Sequence, residues 1–155
     1  MTIDEARESD RLEVEKLIAE YHKSEDIVPV EERIAWAVDE QLRHKSPGLL
    51  LVARDQERIV GVALAVYTPS AELGRVMTVN DFFVSADYRR RGTGRELAKH
   101  MIEHCRKTDI DEINLEVLSH NKTAAAFWTS LGFRQADRLL FKQPVDGYRH
   151  RSKPA

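Results

Sequence analysis

The first third of the chain contains two stretches with the apolar spacing of amphipathic helices. Between Asp10 and His22 the apolar residues recur three and four positions apart, which predicts a helix with one buried face, at Val14, Leu17, Ile18 and Tyr21. Asp10 is suited to the N-cap of that helix. A second helix is predicted after Pro29, before the "SPG" of residues 46–48, with a stripe of Ile34, Ala35, Val38 and Leu42.

Strand patterns follow. The segments "LLLVAR" (49–54) and "RIVGVALAVY" (58–67) are rich in leucine and β-branched residues, and a short polar link joins them. This pattern predicts an antiparallel hairpin. The segment "GRVMTVNDFFV" (74–84) predicts a third long strand.

Beyond Gly94 the apolar period becomes helical again. One side of the predicted helix is apolar and the other is charged, the apolar side carrying Leu97, Ala98, Met101, Ile102 and Cys105. "INLEV" (113–117) alternates like a half-buried strand, a helix is predicted over 123–131 before Gly132, and "RLLF" (138–141) predicts a last strand. The order indicates one mixed α/β domain over residues 1–145, followed by a polar tail over 146–155.

Composition narrows the class of protein. The chain has 155 residues, 42% of them hydrophobic and 32% charged, and a formal net charge of −2, which argues against a dedicated nucleic-acid binder. Its one cysteine, Cys105, excludes an intramolecular disulfide and a multi-cysteine metal site, and its place on an apolar stripe predicts a core residue. The first ten residues lack the features of a signal peptide, and no apolar run is as long as a membrane span. We therefore expect a cytoplasmic protein without membrane contact.

The segment "RRRGTG" (89–94) has the properties of an anion site. It joins a predicted strand to a predicted helix, and the first amides of a helix have no intrahelical partner and lie at the positive end of the dipole. Gly92 and Gly94 allow close approach of a ligand to the backbone, and the arginines add donors suited to phosphate. On these residues alone, a phosphate site and a solvated arginine-rich loop remain equal alternatives, since neither the P-loop nor the dinucleotide glycine motif is matched.

The wider pattern resembles the GNAT superfamily of N-acetyltransferases. Its acyl-CoA motif, Arg/Gln-x-x-Gly-x-Gly/Ala, is matched by Arg89, Gly92 and Gly94. Its second motif, Asn-x-x-Ala-x-x-Phe-Tyr-x-x-x-Gly-Phe, is matched by Asn121, Ala124, Phe127, Gly132 and Phe133. One predicted strand separates the two motifs, as in the family, and the order of elements agrees over nearly the whole chain, with "IDEARESD" (3–10) as the first strand.

The resemblance implies a fold and a set of roles. The fold is an α/β GNAT fold with a mixed, mostly antiparallel central sheet flanked by helices, in which a splayed strand pair forms the acyl-CoA slot. Acetyl-CoA is the implied co-substrate, with backbone groups of Phe82, Phe83 and Val84 on its pantetheine arm. Asn121 and Trp128 are implied contacts on the following helix. The diphosphate is implied to lie at Arg89, Arg90, Arg91, Gly92, Thr93, Gly94 and Arg95.

Two positions depart from the family's catalytic pattern. Acetyl transfer requires a neutral amine and a donor for the oxyanion, here the backbone amide of Val84, and benefits from a proton on the leaving thiolate. Asn80 stands where polyamine-acetylating relatives carry a glutamate base, so we expect it only to line the site. Trp128 stands in place of the tyrosine acid, and an indole N–H only donates a hydrogen bond. Thiolate departure without an acid, another phenol such as Tyr67 or Tyr148, and slow turnover remain open.

Other groups allow two interpretations each. Asp81 is expected to point away from Asn80, as a structural carboxylate or a catalytic one. Trp36, near Glu31, Glu32 and Asp39, is either a packed side chain on an acidic helix face or part of a site for a cationic amine. "HMIEH" (100–104) matches an inverted zinc-protease motif, but the apolar stripe turns its histidines outward, and no metal site is predicted.

The resemblance implies an N-acetyltransferase that moves an acetyl group to a primary amine of a small molecule or peptide, by direct attack in a ternary complex. No convincing covalent nucleophile is present in the sequence. Because of Asn80 and Trp128, a non-catalytic acyl-CoA-binding or regulatory module is the alternative. No nucleic-acid or membrane partner is expected; homodimers occur in the family, but no motif here requires one.

Overall fold

The computed structural model describes residues 1–145. Its α-helices are α1 (Arg11–Ser24), α2 (Glu31–Leu42), α3 (Thr93–Lys107) and α4 (Lys122–Ser130). Its strands are β1 (Thr2–Glu5), β2 (Gly48–Asp55), β3 (Arg58–Ser70), β4 (Gly74–Val84) and β5 (Glu112–Leu115). The predicted helices and the first five strands are present, with ends that differ by a few residues for all but the first. The first strand, expected over residues 3–10, ends at Glu5, and Glu8–Asp10 form a 3₁₀ turn instead.

The strands form one mixed sheet in the order β1-β2-β3-β4-β5. The first four pair antiparallel, while β4 and β5 pair in parallel because α3 connects them. The predicted hairpin is confirmed, with Asp55 opposite Arg58 at its closed end. The predicted mixed, mostly antiparallel sheet is therefore present.

Helices cover both faces of the sheet. On one face, α1 and α2 form the main core with the strands, and Val14, Val38, Val52 and Val62 are fully buried there. On the other face α3 packs against β2 and β3, with Leu97, Ala98, Met101 and Cys105 buried. Strand residues alternate between the two faces, so β2 and β3 are buried over most of their length. The predicted core position of Cys105 is confirmed, and burial raises the pKa of its thiol.

One predicted strand is absent, and Asp10 occupies the predicted N-cap position of α1 without a capping hydrogen bond to its side chain. Residues 138–141 do not form a strand, and Leu139, Leu140 and Phe141 are exposed. A four-residue apolar run becomes a strand only if a neighbouring strand pairs with it, and sequence alternation carries no information about that partner. Asp10 does precede α1, but its carboxylate does not cap the helix. It accepts hydrogen bonds from Arg54 at 2.9 and 3.0 Å and from the Arg7 amide at 2.7 Å.

The chain divides into two compact units, Met1–Asn121 and a second unit that begins at Lys122. The first contains the whole sheet and helices α1 to α3, and the second contains α4. The single domain expected over residues 1–145 stays a prediction. The tail expected over residues 146–155 lies outside the described residues.

Candidate active site at the end of strand β4

Strand β4 contains an irregularity at the residue where the sequence suggested a site. Leu64 of β3 lies opposite Asp81, and its neighbour Ala65 lies opposite Val79, so Asn80 is the extra residue of a β-bulge. Asn80 is exposed, whereas Val79 is buried. A bulge bends its strand and redirects the side chains around it, which makes this position suitable for a site-lining residue.

The bulge coincides with the point where β4 and β5 stop pairing. Their parallel ladder runs from Val76–Glu112 to Val79–Leu115, the last pair within residues 1–145. Beyond it β4 continues to Val84 and pairs with β3 on its other side. Since β5 itself ends at Leu115, the stretch of β4 from 80 to 84 extends past the end of β5. The splayed strand pair expected from the family resemblance stays a prediction.

The backbone orientation at the end of β4 follows from the ladder. The Ser85 amide donates a hydrogen bond to the Val60 carbonyl at 2.9 Å. Hydrogen-bonded and non-hydrogen-bonded pairs alternate along an antiparallel ladder, so Val84 and Phe82 direct their N–H and C=O groups away from β3. Phe83 does the reverse, and its ring packs near Tyr21 at a centroid distance of 5.9 Å. The predicted cofactor contacts of these three residues stay predictions.

The loop after β4 has the backbone conformation of an anion-binding turn. A single 3₁₀ turn spans Ala86–Tyr88, and then Arg90 (φ 59°) and Gly92 (φ 84°) adopt left-handed conformations. Gly92 is the N-cap of α3, and its carbonyl accepts the Glu96 amide at 3.0 Å. Turns that mix left- and right-handed residues direct successive amides to one side, next to the positive end of a helix. A non-glycine residue such as Arg90 costs energy in this conformation, which is common at ligand sites.

The space beside Gly92 is open. A Cβ atom built on Gly92 would meet no atom within 4 Å. The glycine is therefore not required by packing against the rest of the protein. Its conformation and the empty space beside it fit a diphosphate group held by backbone amides.

Two arginines of the loop pack against aromatic rings. The Arg89 Nε donates to the Val84 carbonyl at 3.0 Å, and its guanidinium lies 5.0 Å from the centre of the Phe83 ring. Arg91 lies 5.5 Å from the Tyr88 ring centre, and Tyr88 donates to Asp55 at 2.9 Å. Arg89 thus fixes the carbonyl at the end of β4, while the loop remains basic. The phosphate-binding roles of Arg89, Arg90, Arg91, Thr93, Gly94 and Arg95 stay predictions.

Next to the bulge, a histidine and an aspartate form a pair that the sequence did not reveal. His22 Nε2 in the last turn of α1 lies 2.8 Å from Asp81 Oδ1 on β4. Burial raises the pKa of the Asp81 carboxyl, and the hydrogen bond from His22 opposes that effect. Asp81 is thus a paired, largely buried group. No local signal marks His22, because its partner is 59 residues away.

Asn121, the residue of the second motif that is expected to contact the cofactor, lies near the same end of α1. The Asn121 Nδ2 donates to Glu25 Oε1 at 2.9 Å, and Glu25 is the C-cap of α1. The Asn121 amide also donates to the Leu118 carbonyl at 2.8 Å. The end of α1 therefore contacts Asn121 through Glu25 and the bulge of β4 through His22.

In the second unit, Trp128 is a buried aromatic. It packs edge-on between Phe127 and Phe133, with ring centroids 5.0 and 5.1 Å away, and is 7% exposed. Packing of this kind explains why an aromatic residue is found there. Its role as a contact of the cofactor stays a prediction.

On α2, Trp36 and Asp39 differ from both sequence interpretations. Trp36 is 58% exposed and so is not the packed side chain of one sequence interpretation. Asp39 binds three cations, Arg11 at 2.8 Å, Arg43 at 2.9 Å and Lys45 at 2.9 Å. These cations hold the pKa of Asp39 below its ordinary value, the Lys45 hydrogen bond most of all. Asp39 is therefore already neutralised and unsuited to attracting a cationic amine.

Other candidate sites are weaker. Within residues 1–145, no group of three or more His, Cys, Asp or Glu side chains is arranged to bind a metal ion. His100 of the zinc-like motif is exposed, and its Nδ1 lies 2.9 Å from the Glu96 carbonyl. Two small cavities, of about 130 and 190 Å³, lie beside Gln41 and beside Ile110, and neither is lined by the residues at the Val84 end of β4. Neither has the size expected of a cofactor site.

The helices within residues 1–145 are all too short or too polar to cross a bilayer. The location of the protein in the cell stays a prediction from the sequence, as does any homodimer.

Comparison with known proteins identifies the family. Residues 12–133 match the model of the family described as "Acetyltransferase (GNAT) family". The chain is 39% identical over 71 residues to [Ribosomal protein bS18]-alanine N-acetyltransferase of Escherichia coli (strain K12), a match that covers 45% of this chain and 48% of that protein. It is 29% identical over 139 residues to thialysine N-epsilon-acetyltransferase of Bos taurus, covering 84% of this chain and 82% of that protein.

A solved structure supports the same fold. AAC(6')-Iy, determined with the bisubstrate analog CoA-S-monomethyl-acetylneamine, superposes with a TM-score of 0.78 at 15% identity, covering 93% of this chain and 97% of that one. The chain spans about half the length of the bacterial ribosomal-protein acetyltransferases that it matches. The family match includes both the end of β4 and the glycine loop. The chain therefore belongs to the GNAT acetyltransferase family.

Proposed function

We propose that the protein is an acyl-CoA-dependent N-acetyltransferase that moves an acetyl group from acetyl-CoA to a primary amine. The observation that carries this proposal is the end of β4. There the ladder to β5 stops at Val79, while β4 continues to Val84 and leads into the glycine loop. A strand that extends past its neighbour and leads into a helix N-terminus suits a ligand that combines amide groups with a diphosphate.

In this proposal the residues that hold acetyl-CoA lie along one path. The outward backbone groups of Phe82 and Val84 bind the amide-containing pantetheine arm, and the amides from Arg90 to Arg95 bind the diphosphate. Arg89, Arg91 and the helix dipole add positive charge beside the phosphates. Bound acetyl-CoA supplies an acetyl thioester, the activated form of the group to be transferred.

The amine is proposed to attack the thioester directly, in a complex with both substrates. Cys105 is buried on the face covered by α3, so no thiol nucleophile is offered at the end of β4. The outward amide of Val84 is proposed to donate to the developing oxyanion, and a donor of this kind contributes about 10²–10³ in rate. Asn80, exposed on the bulge, is proposed to orient the amine or a water.

The leaving thiolate is proposed to depart without a positioned acid. Trp128 packs between two phenylalanine rings and can only donate a hydrogen bond. A thiol has a pKa of about 8.5, so a thiolate is a stable leaving group near neutral pH.

The acceptor class is proposed to be the primary amine of a small molecule or peptide. The two curated relatives are named for acetylating a protein alanine and thialysine. Both groups are aliphatic amines.

A thiol-release assay tests the proposal. Acetyl-CoA is supplied with a peptide that begins with alanine, thialysine, a polyamine or an aminoglycoside, and free CoA is measured with and without the amine. We expect CoA release that depends on at least one amine, and tight binding of acetyl-CoA by calorimetry. Binding without turnover across the panel would favour the alternative of a non-catalytic acyl-CoA-binding module, and absence of binding would overturn both.

A further inference from the structure

The pair of His22 and Asp81 lies at the bulge of the proposed active site and is not among the proposed contacts of acetyl-CoA. Asp81 directly follows the bulged Asn80 and is the first residue of β4 beyond the bulge to pair with β3. Its side chain is 15% exposed and that of His22 is 23% exposed, so the pair is sheltered but reachable from solvent.

The hydrogen bond between the two residues determines where His22 can accept a proton. A buried carboxylate is stabilised by a neighbouring N–H donor, so Nε2 carries the hydrogen in the neutral ring and donates to Asp81 Oδ1 at 2.8 Å. The lone pair is then on Nδ1, which has no hydrogen-bond partner among residues 1–145. A carboxylate that orients a histidine in this way also stabilises the imidazolium.

The charges that surround the pair favour a cation. Asp81 on β4 faces the His22 ring. The ring of Tyr21, which precedes His22 on α1, has its centroid 5.7 Å from the centroid of the His22 ring. Burial raises the pKa of Tyr21, and the negative charges of Glu25 and Asp81 raise it further, so Tyr21 stays a neutral phenol. The charged neighbours of this aromatic cluster are therefore acidic.

The same cluster extends to the residue of the second motif. Glu25 accepts the hydrogen bond from Asn121, the proposed contact with acetyl-CoA. The end of α1 thus carries one side chain bound to Asn121 and another bound to the bulge of β4. An amine approaching the thioester between these elements would meet two carboxylates and one imidazole.

We propose that His22 accepts the proton from the acceptor ammonium, with Asp81 as the positioning residue. This inference rests on the proposed function and supplies the base that Asn80 does not provide. The ammonium gives one proton to Nδ1 of His22, directly or through one water. As the amine lone pair forms the new C–N bond, the C–S bond breaks and the thiolate takes its electrons. The proton that the bonded nitrogen then loses protonates the thiolate, and His22 returns its own to solvent.

Kinetics of substituted proteins test this role. In His22→Gln we expect kcat to fall about 100-fold or more, since a general base contributes roughly 10²–10⁴ in rate. The wild-type rate, measured with thialysine or an alanine peptide, should fall as the solution is acidified, because a protonated imidazole cannot accept the proton of the ammonium. His22→Gln should lose this decrease and bind acetyl-CoA as the wild type does.

Two further variants distinguish the chemical role of the His22–Asp81 pair from a general effect of removing an imidazole or a charge. His100→Gln removes an exposed imidazole that lies on α3, and it should leave both kcat and the pH profile unchanged. Asp81→Asn keeps the shape of the side chain but removes its charge, and we expect a fall in kcat of about tenfold or more with a smaller change in KM. A purely structural role for Asp81 would reduce stability without altering the pH profile.

A measurement on the free wild-type protein needs no substitution. Nitrogen-15 NMR of the histidine rings should show His22 as the tautomer with hydrogen on Nε2. Each of three results would overturn the inference, even if acetyl-CoA bound normally. These are a wild-type rate that does not fall in acid, a His22→Gln protein with an unchanged pH profile, and a His22 ring with its hydrogen on Nδ1. If the wild-type protein did not bind acetyl-CoA at all, the proposed function would fail first and this inference with it.

Discussion

Gly92 offers a direct test of the glycine loop, because the chain contains a second glycine with the same local properties. Gly92 has φ 84° and Gly132 has φ 94°, and a Cβ atom on either would meet no atom within 4 Å. Gly92 lies in the proposed diphosphate loop, whereas Gly132 follows α4 in the second unit. Valine at each position should impose a similar backbone strain, so that only the position in the loop differs.

The magnitudes can be worked out from this geometry. A non-glycine residue in the left-handed region costs roughly 1–2 kcal/mol, and we expect both Gly92→Val and Gly132→Val to lose about that much free energy of unfolding. At Gly92 the side chain would enter the open space proposed for the diphosphate. Loss of one amide hydrogen bond to a charged phosphate costs about 1.5–3 kcal/mol, which corresponds to roughly a 10- to 150-fold weaker Kd.

Calorimetry with acetyl-CoA and denaturant unfolding measure the two effects on the same proteins. Both variants should unfold at similarly reduced denaturant concentrations, while only Gly92→Val binds acetyl-CoA more weakly. Equal affinities in two folded variants would refute the reasoning that places the diphosphate at residues 90–95.

Three further predictions concern stability. Asp10→Ala should lower the free energy of unfolding by about 3–5 kcal/mol, because it leaves the largely buried Arg54 without its main partner. Urea unfolding measures the loss, with Glu8→Ala as a control at an exposed ion pair. The Arg54 hydrogen bond holds the pKa of Asp10 below its ordinary value of 3.8. The stabilisation of the folded protein by ionised Asp10 is therefore complete above pH 3.8 and is lost as the pH falls through the lowered pKa. Asp10→Asn should remove this pH dependence when the free energy of unfolding is followed in an acid titration. Gly74→Ala should lower the free energy of unfolding by about 2–3 kcal/mol, more than the left-handed strain alone, as measured by thermal unfolding. The added Cβ would clash with the Asp111 carboxylate, which binds the Arg75 amide. An equal loss in Gly92→Ala would contradict the contribution of this clash.

Local patterns predicted most of the fold because the elements are amphipathic and continuous. The helical period after Gly94 and the β-branched runs before it each specify one buried face, and the structure buries Leu97, Met101 and Val62 as expected. The prediction failed for residues 138–141, where a strand requires a partner. A local pattern describes what a segment can bury, and pairing depends on what lies beside it.

The glycine loop was also predictable, because the anion-binding properties of a helix N-terminus and of glycine are local. The bulge at Asn80 was not, since it is visible only as a change of register between β4 and β3. The end of the β4–β5 ladder likewise depends on two strands separated by a helix. Both features determine which side of β4 is open.

The sequence by itself determined the helices, the order of most elements along the chain and the basic turn at residues 89–94, since each follows from the spacing of neighbouring residues. Tertiary structure alone decided that Asp81 meets His22, that Glu25 meets Asn121 and that Asp10 binds Arg54 instead of capping its helix. These contacts join residues 59, 96 and 44 positions apart. Their energies come from burial and short-range hydrogen bonds, which exist only after the chain has folded.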